Sequence, residues 1–353
     1  MNDECIIELM SKSKSNACKF LSKNSFIKEL AESEKIKRVY VKSKGKDSEN
    51  SFCLVCQSDS QVAETLIDIF KIPPNRQSLF KEKFQEAVSG DGQEYNRINR
   101  LGSSSLLAFL CFYSVSTKNK LKLNLSNRVY TFYDVHFECR NHIDPAGDKC
   151  SNIDVLLLGE NDEAKPTALF LESKFSEYFS RSSKVENISA SYQNLYGEFG
   201  LFASQSKKWS SLTCERSHDN TLRIRSIDNA THYCNGIKQL ISHYRGLKTI
   251  CQAPYNRQTE YGNPQKMLVI KGDMLLGTIL YDFGDFDKRK NLEDYANLYK
   301  DQFTLAFPKT SGIQLVKEIL TYNKDVATSP NFKIDPIVRK FYCLDGKQPN
   351  TSL

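Results

Sequence analysis

Apolar positions recur along the chain with a period that changes several times, and each change predicts an element. Residues 4–21 and 25–32 carry helical spacing, 38–42 and 52–56 read as short strands, and 62–70 returns to a helix. Pro73-Pro74-Asn75 breaks the chain, 79–88 is helical again, and Ser89-Gly-Asp-Gly92 marks a boundary. From 93 to 116 the pattern predicts one long helix, polar in its first half and apolar in its second, with small residues at Gly102-Ser-Ser-Ser105 permitting close packing.

Three strands follow in quick succession, at 129–138, 152–158 and 167–175, separated by Asp-Pro-Ala-Gly and Gly-Glu-Asn-Asp turns. A Ser-, Asn- and Tyr-rich stretch from 176 to 232 leads into a second packed helix at 233–247, where Ile237, Leu240, Ile241 and Tyr244 share one face. A strand at 266–270 precedes the apolar run 275–283, and helices are expected near 291–304 and 311–322 before a loose basic tail. The organisation predicted is a mixed N-terminal extension over 1–89, a main α/β domain over 90–310 and a C-terminal helix and tail over 311–353.

The 353 residues are 40% hydrophobic and 26% charged, with 16 Gly and 10 Pro, a globular balance that excludes collagen-like and linker-dominated architectures. The longest apolar run, Leu106 to Phe112, falls far short of the roughly 20 residues of a membrane-spanning helix. The acidic N-terminus lacks the basic region and cleavage site of a signal peptide, so a cytoplasmic protein with reduced thiols is expected from its 11 scattered cysteines. Cys53-Leu-Val-Cys56 has no second pair or nearby histidine to complete a zinc site and suits a strand.

A net charge of +7 permits a polyanionic partner without demanding one. Between Lys12 and Lys46 eleven Lys and Arg face only Glu29, Glu32 and Glu34; a solvated face and a phosphate-tracking surface both fit. The stretch 176–232, with Arg181, Lys184, Lys207, Lys208, Arg216, Arg223 and Arg225, either reads nucleic acid or caps the fold.

The sharpest feature is Asp154 in one apolar strand and Glu172-Ser173-Lys174 closing the next. Residues two apart on a strand face the same side, so Glu172 and Lys174 share a face that Asp154 joins if the strands pair. Two carboxylates and the Ser173 carbonyl would hold Mg²⁺ with several waters retained, and the lysine beside it would orient or deprotonate an attacking water. The tripeptide by itself carries nothing, since chance yields about as many Asp/Glu-x-Lys triplets as the three present. Only this one ends a hydrophobic strand that follows another acid-bearing strand, an expensive place for three charges without a ligand.

With Ser103-Ser-Ser-Leu-Leu-Ala-Phe-Leu110, Asn152-Ile-Asp-Val155, Leu171-Glu-Ser-Lys-Phe175, Lys238-Gln-Leu-Ile-Ser-His-Tyr244 and Tyr281-Asp-Phe283, the chain resembles the PD-(D/E)XK nuclease superfamily over roughly residues 80–310. Within it, the chain looks like a bacterial family of uncharacterised restriction-endonuclease candidates. The resemblance implies a restriction-endonuclease-like α/β core, helix, three strands, helix, strand, with a mixed central sheet flanked by helices. Its elements would be 93–116, 129–138, 152–158, 167–174, 233–247 and 266–270. It also implies Asp154 and Glu172 as metal ligands with Ser173, and Lys174 as the catalytic lysine. The proline that names the motif is absent; Ile153 stands before the acid. Glu138 and Glu94 are both candidates for the additional acid of many relatives, Glu138 being favoured. Gln239 and Tyr244 are similar to a Gln-x-x-x-Tyr pair but are separated by five residues, so Gln239 touches Lys174, contacts DNA or is a surface amide.

The five histidines form no metal-ligand pattern, and His243 reads as a packing residue. No phosphate-binding loop, dinucleotide fingerprint or serine-hydrolase elbow occurs. The expected activity is Mg²⁺-dependent DNA endonuclease chemistry, with Mn²⁺ as a substitute. Double-stranded DNA is the partner, no membrane is involved, a homodimer suits double-strand cleavage, and a methyltransferase could accompany it. The competing readings are a nuclease-like fold used only for binding, and an unrelated α/β protein with an accidental Glu172–Lys174 pair.

Overall fold

The computed structural model describes residues 6–13, 16–43, 46–56, 61–89, 94–144, 149–176, 185–188, 206–208, 212–219, 221–226, 237–252, 258–284 and 312–345. Where one helix was expected over 4–21 there are two, α1 (Ile6–Ser11) and α2 (Asn16–Leu21), followed by α3 (Ser25–Glu32) with Asn24 capping its first turn. Strands β1 (Ile36–Ser43) and β2 (Lys46–Leu54) form an antiparallel hairpin, and α4 (Val62–Phe70) matches its expected bounds. Helix α5 (Pro74–Ala87) begins earlier than the proline break suggested, because Pro74 occupies the first helical turn, where its missing N–H costs nothing.

The long helix expected over 93–116 is divided into α6 (Glu94–Ile98) and α7 (Ser104–Phe112). The intervening backbone pairs with the N-terminal hairpin instead: Leu54 N–H donates to Asn99 O, and Leu101 N–H to Phe52 O. Ser103 then caps α7 by accepting from Ser105 N–H.

Strands β3 (Leu121–Leu125), β4 (Arg128–His142), β5 (Cys150–Asn161) and β6 (Pro166–Lys174) make an antiparallel meander at the centre of the molecule. The stretch after β6 contains a separate antiparallel sheet of β7 (Val185–Ile188), β8 (Ser206–Lys208), β9 (Leu212–Arg216) and β10 (Leu222–Ser226). Helix α8 (Ile237–Gln252) returns the chain to the main sheet, packing on β4 and β5.

The strand expected over 266–270 exists but does not close the core. Its residues 266–269 lie within β12 (Asn263–Val269), which pairs with β11 (Gln258–Tyr261) on the far side of β4. The position beside β6 belongs to β13 (Asp273–Leu280), parallel to it from Asp273↔Thr167 to Leu280↔Lys174. The nearly unbroken apolar run Met274–Leu280 suits a strand buried on both faces.

The helix expected over 311–322 is absent. Ile313–Leu315 (β14) and Leu320–Thr321 (β15) extend β13 in parallel, and a π-helical turn, Tyr322–Val326, follows. A final helix, α9 (Pro336–Phe341), packs back on the N-terminal segment, with Phe341 against Phe26 and Phe70 and the Asn24 amide donating to Phe341 O. The helix expected over 291–304 lies outside the described residues. The result is a mixed sheet flanked by helices. No helix among the described residues is long and apolar enough to cross a membrane.

Candidate active site

The β5–β6 ladder runs from Glu160↔Pro166 to Val155↔Leu171 and stops one residue short of Asp154 and Glu172. There the Asp154 carboxylate replaces the backbone partner, its Oδ2 accepting from Ser173 N–H at 2.7 Å. A carboxylate accepting a backbone N–H is a strong, directional tie that fixes the opening between the two strands. On the other side of β5, Phe137 faces Val155 and Cys139 faces Ile153, which sets Glu138 across from Asp154. Glu138, Asp154 and Glu172 thus occupy consecutive strands at one level of the sheet.

Strand β6 is buried through Ser173, while Lys174 at its end is partly exposed. Phe175, the next residue, anchors the strand end against Tyr281, Phe283 and Tyr342, and Tyr281 N–H donates to Lys174 O. The Lys174 ammonium donates to Glu172 Oε1 and, at 3.1 Å, to Gln239 Oε1. The second oxygen of Glu172 meets His243 Nε2 at 2.7 Å, and His243 Nδ1 meets Ser151 Oγ at 2.5 Å. With the serine hydroxyl donating to Nδ1, the Nε2–H donates to the carboxylate.

Helix α8 therefore engages both ends of the Glu-x-Lys motif from two residues one turn apart, Gln239 and His243. It approaches closely because Gly246 faces Asn141, whose Cβ would lie 2.7 Å from any Cβ built there. Tyr244 is buried and packs in the core. The sequence pointed to Gln239 but not to His243; the missed signal was a polar residue four positions after Gln239 on the same helix.

Glu172 is buried, which pushes its carboxyl up, but the Lys174 ammonium and His243 outweigh burial and hold it down to about 2. Glu138 behaves oppositely. Burial raises it well above the ordinary carboxylate range, and Asp154, Glu94 and Glu172 add repulsion that Arg97 only partly offsets. Its φ of 49° is a left-handed conformation that costs a non-glycine residue about 1–3 kcal/mol, strain of the kind that gathers at working sites. Glu94, at the start of α6, is 1% exposed and lies 3.5 Å from Arg97. Both acids considered for the additional role therefore act electrostatically on the same cluster.

Ser173 serves the site through its backbone, while its hydroxyl is within 2.7 Å of Tyr322 Oη in the π-helical turn and donates to Ser104 O. Arg181 and Lys184 lie outside the described residues. No protein-family model, curated protein or solved structure matches the chain. What the site can do rests on its own chemistry.

Four carboxylates gather around one ammonium and one guanidinium, and all the available donors are hard oxygens. That set suits a divalent cation such as Mg²⁺, which takes one or two carboxylates and keeps several waters. Among the described residues no three His, Cys, Asp or Glu side chains are placed to hold a metal ion together, so such a cation would rest on fewer side chains and its waters. Each oxygen of Glu172 already accepts one hydrogen bond but retains a second lone pair, and Asp154 Oδ2 accepts from the Ser173 N–H.

Proposed function

We propose that the chain is a Mg²⁺-dependent DNA endonuclease that hydrolyses phosphodiester bonds on a restriction-endonuclease-like core. The observation that carries this reading is the meeting of Asp154 with Glu172 and Lys174 at the β5–β6 opening, held by the Ser173 N–H. The order α7, β4, β5, β6, α8, β13, with β6 and β13 parallel, supports it as a core of helix, three strands, helix, strand.

A divalent cation held by Asp154, Glu172 and the Ser173 carbonyl, with Mn²⁺ as a substitute, would supply the charge that polarises a phosphodiester and acidifies water. The chain's own groups do the rest. Lys174, fixed in two directions by Glu172 and Gln239, orients the attacking water and meets the negative charge that grows on the phosphoryl oxygens. Glu138 keeps a proton near the reacting groups above the ordinary carboxylate range. His243 keeps Glu172 ionised and in place. Cutting both strands of a duplex calls for two such sites, which a homodimer provides.

The test is cleavage of methylated and unmethylated duplex DNA with Mg²⁺ or Mn²⁺, comparing wild type with Lys174→Ala across a salt series. The expected result is cleavage by wild type that EDTA abolishes, and a loss of about 10³-fold or more in the variant with its folding intact. Undiminished cleavage by pure Lys174→Ala protein overturns the assignment. DNA binding without cleavage by either protein points to a binding module.

A further inference from the structure

The chain between the lysine strand and helix α8 folds, where described, into a sheet of its own, ordered β7-β10-β9-β8 and antiparallel throughout. Its two faces differ. Leu222 lies opposite Ile188, and both are completely buried. One position along, Arg223 lies opposite Asn187, and both are exposed. Alternation along a strand makes this the opposite face. The sheet is tied to the candidate active site through β7, which packs against α8, the helix that carries Gln239 and His243.

Register extends the outer face across the sheet. Arg223 is opposite Glu215, which is opposite Ser206. Arg225, two residues on, holds a position opposite Thr213, which is opposite Lys208. Two successive rows of one face therefore hold Arg223, Arg225 and Lys208 against one acid, Glu215, with Val185 opposite Arg225. Rows with three cationic residues against one acid are complementary to a polyanion, while the opposite face mixes Leu222, Ile188 and Ile224 with Glu186, Lys207 and Arg216.

We propose that this sheet is the surface along which the phosphate backbone of duplex DNA lies as it enters the site, an inference that rests on the nuclease reading above. Arg and Lys supply the charge, while hydroxyl and amide groups at the intervening positions are of the kind that hydrogen-bond phosphate oxygens. The contribution is to affinity and placement; phosphate contacts carry no base sequence. Displacing counterions gives it a defined signature, because each phosphate neutralised steepens the salt dependence of binding by about one unit in the log–log slope.

The experiment is fluorescence anisotropy of a labelled duplex with the full chain in EDTA, where nothing is cut, over a salt series. The triple variant Arg223→Gln/Arg225→Gln/Lys208→Gln is expected to bind about 10- to 100-fold more weakly at low salt, with its slope reduced by about two to three. Glu215→Gln, of opposite sign, is expected to tighten binding by up to about fivefold and provides the reading if the triple variant fails to fold. Unchanged affinity and slope in the folded triple variant, or no tightening by Glu215→Gln where the triple variant does not fold, overturns the surface assignment. If wild type then still cleaves with Mg²⁺, the nuclease reading stands without it. Weakened binding by the triple variant from a wild type that never cleaves preserves the surface and removes the nuclease. Tighter binding to an RNA duplex than to DNA, or no binding by wild type to either, overturns the proposal.

Discussion

Two clusters of buried charge lie on the central sheet, and their difference separates a structural tie from a reactive site. Between α5 and β4, Lys83 lies 3.4 Å from Glu86 and 3.5 Å from Asp134, while His136 lies 3.1 Å from Asp134 and 3.3 Å from Glu86. Tyr261 packs on the imidazole at 4.4 Å between ring centres. Burial opposes the charge on His136, but Asp134 and Glu86 outweigh it and raise its pKa; burial likewise pushes Asp134 up, and His136 with Lys83 brings it down. Two acids meet two bases and the cluster neutralises itself. At the β5–β6 opening, among the described residues, Glu94, Glu138, Asp154 and Glu172 meet Lys174, Arg97 and the His243 imidazole, four acids against three bases. One acid is held down to about 2 while another is driven up. Carboxylates with opposed shifts at one site, and an excess of negative charge, are what a cation and acid–base chemistry would use.

The comparison predicts its largest effect at His243. Replacing it with Ala leaves a buried oxygen of Glu172 without its donor, which costs about 1–3 kcal/mol, more for a charged group, and frees Glu172 to move. Metal affinity and cleavage rate are each expected to fall about 10- to 100-fold, as when an outer partner of a metal ligand is lost. His243→Gln, which retains an N–H donor, should recover part of both. Calorimetric Mg²⁺ titration beside single-turnover cleavage reads the two effects separately; equal Mg²⁺ affinity in all three proteins removes His243 from any positioning role. The pH sense is fixed as well. Because the folded value of Glu172 is depressed, its stabilisation is complete above the ordinary value of 4.5 and is lost as pH falls toward about 2. The Ala variant should therefore unfold at a higher pH during acid titration.

Glu138 comes next, with the opposite sign. An acid whose folded value is raised favours the folded state only while protonated, so above the ordinary value of 4.5 its ionisation in the unfolded chain pulls against folding. Glu138→Gln should raise Tm in EDTA at pH 7–8, with the gain shrinking to nothing near pH 4, and should reduce the further rise that Mg²⁺ gives wild type. Thermal melts over pH with and without Mg²⁺ measure this. A variant less stable than wild type at pH 8 in EDTA would show that burial and the neighbouring acids do not raise Glu138.

Much of this contrast was readable in the sequence, and the unread parts have physical reasons. Apolar runs between turn residues mark strands β4, β5 and β6 in the sequence, which is enough to bring Asp154, Glu172 and Lys174 together. The position of β13 was not readable, since a run such as Met274–Leu280 gives no period to separate strand from helix and nothing local says which neighbour it pairs with. The same ambiguity turned 311–322 into an expected helix, although Ile313–Leu315 and Leu320–Thr321 gain their hydrogen bonds from distant β13. His243 looked like packing because its partners are 71 and 92 residues away in sequence. The sign of each cluster's charge balance depends on tertiary proximity and could be counted only in the fold.

The smallest effect belongs to the balanced cluster, and it should be confined to stability. His136 has a folded value raised above 6.5, so its contribution is fully present below about pH 6.5 and disappears as pH rises through the folded value. His136→Asn is expected to lose about 1–2 kcal/mol at pH 6, the worth of a hydrogen bond to a charged partner, and progressively less at alkaline pH. Denaturant melts at intervals from pH 5.5 to 9 would show wild type and variant curves converging at the upper end. Rates of metal-dependent cleavage should stay together across the same range. A variant that loses Mg²⁺ affinity or cleavage while keeping its stability would place His136 in the reactive machinery, and charge balance would no longer distinguish the two clusters.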